Sequence, residues 1–270
     1  MDIRPIGVFD SGLGGLTAMR ALRRLLPHED FIYLGDTARV PYGTRSAETV
    51  IRFALQDAQF LRKQDVKLIV VACGTVSSIA MDELRRQCPV PVVGIVEPCA
   101  QAAVTMTRNH HIAILGTNAT IRSHAIERKV IRLDSQAQVK GLACPLLVPL
   151  IENGYVHAEQ PLLRIALQEY ISQLIDYKID TIILGCTHYP LVSAAIRECL
   201  PGVGLIDSGS AIAQATATLL TTEGLTNAPG RVGSRSYFVT DTVANFTNMV
   251  ELFLGGPKDG EIRQVDIGSW

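Results

Sequence analysis

The sequence VVACGTVSS, residues 70–78, ends an apolar run in a single cysteine, Cys73, which glycine and threonine follow. The same order returns in IILGCTHYP, residues 182–190, where Cys186 is again followed by threonine. Neither run alternates polar with apolar residues, which is typical of parallel strands covered on both faces. The two stretches therefore predict two buried parallel strands, each with a thiol at its carboxyl end.

Short apolar segments alternate with helix-period segments along the rest of the chain, and this order predicts an α/β fold of two similar open, mostly parallel sheets. Strands are predicted at residues 6–9, 31–34, 68–72, 92–96, 112–115, 181–184, 205–206 and 237–239. Helices are predicted at residues 16–26, 47–63, 79–87, 162–177 and 211–221.

A faint internal repetition predicts two domains. Asp10 precedes Cys73 by 63 residues and Thr117 precedes Cys186 by 69. We expect a first domain of residues 1–97 plus 208–270, and a second of residues 98–207. In open α/β sheets, ligands bind at the carboxyl ends of the strands, where the polar residues of this chain collect.

Composition narrows the range of ligands. The 270-residue chain has a net charge of -1, which argues against an extended nucleic-acid surface. No apolar run approaches the roughly 18 residues that span a bilayer. No secretory signal is recognised at the start and no CxxC pair occurs, so we expect a cytoplasmic protein with reduced thiols.

The residues alone leave four interpretations of Cys73 and Cys186 open. They are small buried hydrophobes, a redox pair, metal ligands together with His188, or acid/base residues. Two facing thiols could take a proton from one side of a carbon and return one to the other side. Asp10 is then the proton partner of Cys73, unless it only caps a helix, and His188 with Glu152 serves Cys186. The remaining cysteines are expected to be structural, namely Cys88, Cys99, Cys144 and Cys199.

Several separated blocks, in the right order between residues 6 and 254, resemble the aspartate/glutamate racemase superfamily and, within it, the glutamate racemases. The blocks are IGVFDSGLGGLTAMRALRRLLPHEDFIYLGDTARVPYGTRS, GTNATIRSHA, ACPLLVPLIENG, LGCTHYPLV and YFVTDTVANF.

This resemblance implies a cofactor-independent, metal-free racemase with its active site in the cleft between two α/β domains. L- and D-glutamate would be the small-molecule partners, with no nucleic acid and no membrane, and a homodimer is left open. The product would supply peptidoglycan synthesis in a bacterial cytoplasm. The alternatives are a racemase of the same superfamily for aspartate or a hydantoin-like substrate, or a non-catalytic amino-acid sensor.

The resemblance also implies the site residues. Cys73 and Cys186 would be the catalytic acid and base, assisted by Asp10, His188 and Glu152. Substrate-binding residues would be Asp10, Ser11, Pro41, Tyr42, Gly43, Gly74, Thr75, Thr117, Thr120, Thr187 and His188.

One position departs from the family, which usually has ACNT where this chain has ACGT. We expect the change Gly74→Asn either to restore a substrate contact or to block a different substrate.

Overall fold

The computed structural model describes residues 2–268, in which strands and helices alternate. The strands are β1 (Ile6–Asp10), β2 (Phe31–Gly35), β3 (Leu68–Val71), β4 (Val92–Gly94), β5 (His111–Gly116), β6 (Gln138–Ala143), β7 (Thr181–Leu184), β8 (Gly204–Asp207), β9 (Arg235–Val239) and β10 (Glu261–Gln264).

The α-helices are α1 (Leu16–Leu25), α2 (Ala47–Lys63), α3 (Gly74–Ile79), α4 (Met81–Gln87), α5 (Val96–Met106), α6 (Asn118–Ser123), α7 (Ala125–Leu133), α8 (Leu147–Glu152), α9 (Pro161–Ile171), α10 (Ser193–Cys199), α11 (Ser208–Thr222) and α12 (Val243–Leu254). Short 3-10 helices lie at Thr37–Arg39, Tyr42–Thr44, Ser172–Tyr177 and Tyr189–Val192. No helix within residues 2–268 combines the length and the apolar content needed to cross a bilayer.

The strands form two parallel sheets. One has six strands in the order β10-β9-β2-β1-β3-β4, and the other has four in the order β6-β5-β7-β8. The central strands are the most apolar, because both their faces are covered: every residue of β1, β3 and β7 is buried. One hydrophobic cluster includes residues of both sheets, among them Val8 and Ile114. The predicted α/β class with parallel sheets is confirmed.

Strands β9 and β10 follow the four-stranded sheet in the chain but extend the six-stranded sheet, where β9 pairs with β2. Helix α11 packs against α1. These contacts are compatible with a chain that returns to its first domain after residue 207. The domain boundaries themselves stay a prediction.

Several sequence-based boundaries are wrong, each for a local reason. The helix predicted from residue 79 begins at Gly74, directly after the extended Cys73, and is interrupted at Ala80. The strand predicted at residues 92–96 ends at Gly94, because Val96 already begins α5. Strands β6 and β10 were missed because both are edge strands, whose polar residues interrupt the apolar pattern.

A buried ion pair lies at the amino-terminal ends of β2 and β3, at the end of the six-stranded sheet opposite Cys73. Lys67 immediately precedes β3, and its ammonium lies 2.6 Å from Glu29 Oε2, just before β2. The same nitrogen donates to the carbonyl oxygens of Asp2 and Leu225, both at 2.7 Å. The side chains of Lys67 and Glu29 are 0% and 5% exposed. Residues from four distant parts of the chain are therefore held at the start of the strand that carries Cys73.

We predict that Lys67→Met lowers the free energy of unfolding by about 3–5 kcal/mol, because it leaves the Glu29 carboxylate buried without its partner. Arg86→Met is the matched control, since it breaks an exposed pair with Glu83 and should change stability little. Urea unfolding of both variants measures the difference. An equal loss of unfolding free energy in Lys67→Met and Arg86→Met would contradict the claim that burial makes the Lys67–Glu29 pair important.

Candidate active site

A cavity of about 330 Å³ lies where the carboxyl ends of the two sheets meet. Cys73, two residues after β3, and Cys186, two residues after β7, both line it, and they are 5% and 6% exposed. The other predicted residues in its wall are Ser11, Pro41, Tyr42, Gly43, Gly74, Thr75, Thr117, Glu152, Thr187 and His188. Asp10 and Thr120 lie behind this wall and contact residues that form it.

Cys73 immediately precedes α3, and its sulfur lies 3.5 Å from Ser11 Oγ. Burial, reinforced by the negative charge of Asp10, raises the pKa of the Cys73 thiol to about 12. This sulfur therefore keeps its proton at neutral pH. It is placed to act as an acid, with Ser11 orienting the thiol.

Asp10 links the two sheets from behind the cavity wall. Its carboxylate accepts hydrogen bonds from the Gly12 N–H at 3.0 Å and from the Thr187 hydroxyl at 3.4 Å. Burial raises the pKa of Asp10, and the charge of His188 opposes this effect. The alternative that Asp10 only caps a helix is wrong, because Gly15 occupies the N-cap of α1. Its role as proton partner of Cys73 stays a prediction.

Cys186 has an imidazole beside it. The Nδ1 atom of His188 lies 3.8 Å from the sulfur, and Nε2 lies 3.0 Å from Glu152 Oε1. The ring of Phe253 meets the imidazole edge-on, with 5.2 Å between ring centres. These contacts fix the ring between a thiol and a carboxylate. The arrangement is typical of a histidine that stabilises and moves a proton.

The charge of His188 follows from its surroundings. Burial alone would lower the pKa of this imidazole, but its contacts with Cys186 and Glu152 outweigh burial and raise the pKa to about 10. A protonated imidazole at neutral pH can stabilise negative charge on the Cys186 sulfur. The site thus has one thiol beside a carboxylate and one beside a cation.

Threonine hydroxyls join the sheets at another part of the cavity. Thr75 Oγ1, in α3, lies 3.0 Å from Thr117 Oγ1, which follows β5. Thr117 also accepts the N–H of Thr120 as the N-cap of α6 and lies 3.0 Å from the Thr120 hydroxyl. Thr120 therefore positions Thr117 from behind the wall. The Thr75 and Thr117 hydroxyls are donors that a carboxylate in the cavity could use.

Tyr42 is held from outside the cavity. Its hydroxyl donates to the buried carboxylate of Asp36 and lies 3.2 Å from Asp57, and the guanidinium of Arg39 bridges the same two carboxylates. Because these partners occupy the hydroxyl, Tyr42 contributes its ring and backbone to the wall. The network fixes the loop that presents Pro41 and Gly43.

Sequence reasoning missed one side of the cavity. Cys144 and Pro145 line it between β6 and α8, and Val148 and Pro149 line it from within α8. Cys144 is fully buried and lines the cavity, and its structural role stays a prediction. The segment belongs to the block ACPLLVPLIENG, but without β6 nothing placed residue 144 at a strand end. Among residues 2–268, no cluster of three or more His, Cys, Asp or Glu side chains has the arrangement of a metal site.

A family of known proteins matches most of the chain. Residues 6–216 match the family described as Asp/Glu/Hydantoin racemase. The chain belongs to this family. The match confirms the resemblance seen in the separated sequence blocks.

Relatives that match nearly the whole chain include proteins named glutamate racemase. The chain is similar to the glutamate racemase of Syntrophus aciditrophicus, with 43% identity over 264 residues, or 97% of each protein. It is also similar to the crystal structure of glutamate racemase from Francisella tularensis in complex with D-glutamate, with 36% identity, a TM-score of 0.92 and coverage of 100% of both chains. The glutamate racemase from Thermus thermophilus in complex with β-chloro-D-alanine shares 43% identity, with a TM-score of 0.87 and coverage of 98% of both chains.

The raised pKa of His188 predicts a pH-dependent stability. A group that binds its proton more tightly in the folded state stabilises the fold fully below its ordinary pKa of 6.5, and this contribution is lost as the pH rises through about 10. We expect the free energy of unfolding to fall over this range by a few kcal/mol, since each pH unit is worth about 1.4 kcal/mol.

His188→Gln should remove this part of the pH dependence, and Cys186→Ser should reduce it by removing one of the two partners. Urea unfolding between pH 6.5 and 10 measures the slopes. Identical slopes in the unmodified protein and His188→Gln would show that the imidazole is not held protonated.

Proposed function

We propose that the protein is a glutamate racemase that interconverts L- and D-glutamate by two-cysteine acid/base catalysis without a cofactor. The observation that carries this proposal is the position of Cys73 and Cys186, which reach one cavity from different sheets. Two-base racemisation needs one proton acceptor and one proton donor on opposite sides of a single carbon. Two thiols with unlike neighbours meet this requirement.

The reaction from L-glutamate begins at Cys186. Its thiolate, beside the protonated His188, takes the α-proton, and Glu152 holds the imidazole in place. The electron pair of the broken C–H bond stays on the α-carbon and is delocalised into the α-carboxylate. Hydroxyl donors such as Thr75 and Thr117 stabilise that developing charge in the cavity.

The second proton comes from Cys73. This thiol holds its proton at neutral pH because of burial and the nearby Asp10, so it can deliver the proton to the other side of the carbanion. D-glutamate then leaves, with Cys73 as thiolate and Cys186 as thiol. Proton exchange with solvent restores the starting state. In the reverse direction the two cysteines exchange roles.

The relatives are the reason to propose glutamate as the substrate, and not aspartate or a hydantoin-like compound. Proteins named glutamate racemase share 39–43% identity with this chain over at least 95% of its length. Neither aspartate nor a hydantoin-like substrate has comparable support. A non-catalytic sensor would need an amino-acid cleft but not a pair of thiols with separate proton partners.

The cellular role follows from the reaction. D-glutamate would serve peptidoglycan synthesis in a bacterial cytoplasm, and the partners would be the two enantiomers of glutamate. The predicted contributions of Asp10, Ser11, Pro41, Tyr42, Gly43, Gly74, Thr120 and Thr187 to substrate binding are part of the same proposal. Assembly as a homodimer stays open.

Separate roles for the thiols predict enantiomer-specific partial reactions. Cys73→Ser and Cys186→Ser should each lower racemisation by several orders of magnitude, because a serine hydroxyl is a much poorer base than a thiolate. Elimination from β-chloroalanine needs only removal of the α-proton and departure of chloride. The resulting aminoacrylate takes up water and gives pyruvate and ammonium, which can be measured.

Cys73→Ser should retain elimination from β-chloro-L-alanine through Cys186, and Cys186→Ser should retain it from the D-enantiomer through Cys73. The unmodified protein serves as the control for both enantiomers. Loss of both eliminations in both variants would contradict a mechanism with one thiol on each face.

A further inference from the structure

Three glycines on the side of the six-stranded sheet lie so close to residues of the other sheet that an added side chain would require a neighbour to shift. A Cβ atom on Gly14 would lie 2.2 Å from Thr187 Oγ1, and one on Gly43 would lie 2.8 Å from Thr117 Cβ. A Cβ atom on Gly74 would lie 2.0 Å from the carbonyl oxygen of Gly185. Each contact crosses the cleft that contains the proposed active site.

The contact of Gly74 differs from the other two because its obstacle is backbone. Thr117 and Thr187 can rotate their side chains, but the Gly185 carbonyl moves only with its strand. Gly185 is itself fixed, since its N–H donates to Leu115 O at 2.8 Å. No rotamer change can therefore make room for a side chain at position 74.

The same contact joins the immediate neighbours of the two thiols. Gly74 follows Cys73, and Gly185 precedes Cys186. The next residue, Thr75, forms the 3.0 Å hydroxyl contact with Thr117, so the two sheets also meet directly beside Gly74. The closest approach of the sheets at this point is thus limited by backbone on both sides.

We propose that Gly74 is a positioning residue that sets the separation of the two thiols. The inference rests on the proposed two-cysteine racemisation. Without a Cβ atom, α3 comes into backbone contact with Gly185, and Cys73 and Cys186 are brought as near to one α-carbon as the main chain allows. A side chain at position 74 acts first as a spacer between the strand ends.

The size of the spacer effect follows from the distances. Real Cβ contacts are essentially never shorter than 3.0 Å, so a Cβ atom at 2.0 Å requires a shift of at least 1.0 Å, the difference of the two values. A displacement of about 1 Å between reacting groups can cost a rate factor on the order of 100. A side chain at position 74 must first open this contact, so the restoration of a substrate contact by Gly74→Asn stays a prediction.

The test compares Gly74→Ala with Gly256→Ala, a control in which the added methyl group meets no atom within 4 Å. We expect Gly74→Ala to lower kcat for glutamate racemisation by a factor on the order of 100, with a much smaller change in KM. Elimination from β-chloroalanine uses one thiol at a time and should fall far less. Gly74→Asn should resemble Gly74→Ala, and Gly256→Ala should resemble the unmodified protein.

A change confined to stability would lower racemisation and elimination together, so equal losses in Gly74→Ala would overturn the inference, as would unaltered racemisation. A crystal structure of Gly74→Ala gives a measure that does not depend on activity. Separation of residues 74 and 185 by at least 1.0 Å more than in the unmodified protein is expected, and an unchanged separation would refute the spacer role.

Failure of the proposed function would look different, because the unmodified protein would then not racemise glutamate at all. If Gly74→Ala does not fold, Gly43→Ala tests the same closure at Thr117. It should lower racemisation more than elimination, by a smaller factor than Gly74→Ala, because the threonine side chain can turn away. Equal losses in Gly43→Ala would overturn the inference.

Discussion

The meeting of two parallel sheets at their carboxyl ends is the constraint on which the rest of this structure depends. In each sheet a cysteine lies two residues after a fully buried strand, and both cysteines line one cavity of about 330 Å³. Parallel strands direct all their carboxyl ends to one edge, so a single placement of the sheets brings every functional loop together. The ion pair of Lys67 and Glu29, at the amino-terminal ends of β2 and β3, holds β3 in that arrangement.

The two thiols have similar positions but opposite electrostatic surroundings. Cys73 lies near the Asp10 carboxylate, which favours the neutral thiol, whereas Cys186 lies 3.8 Å from an imidazole that holds a proton. One thiol of the resting protein is thereby suited to donate a proton and the other to accept one. In the proposed mechanism the reacting carbon lies between the two thiols, and this difference in their surroundings accounts for inversion of configuration.

Much of this arrangement could be predicted from the sequence. The central strands are long apolar runs, and Cys73, Thr117 and Cys186 stand directly after them, so their convergence at a sheet edge followed from the pattern. The edge strand β6 was missed because Lys140 and Gly141 interrupt its apolar residues, and the wall formed by Cys144 and Pro145 was missed with it. A Cys–x–His spacing also indicated the pairing of Cys186 with His188.

Contacts between the sheets could not be predicted, because they depend on how the sheets sit against each other. The hydrogen bond from Thr187 to Asp10 spans 177 residues, and no local pattern signals it. The approach of Gly74 to the Gly185 carbonyl likewise appears only in three dimensions. In the sequence, Gly74 is visible only as a departure from the usual asparagine. The structure adds that the Gly185 backbone lies where a side chain at this position would begin.

The most direct measurement of the central claim follows the α-hydrogen of L-glutamate in D₂O. If separate thiols act on the two faces, the first D-glutamate formed carries deuterium at the α-carbon, while the remaining L-glutamate stays protiated early in the reaction. Mass spectrometry after separation of the enantiomers detects both pools. Deuterium entering the L-glutamate pool as fast as D-glutamate forms would indicate one base serving both faces and would contradict the account.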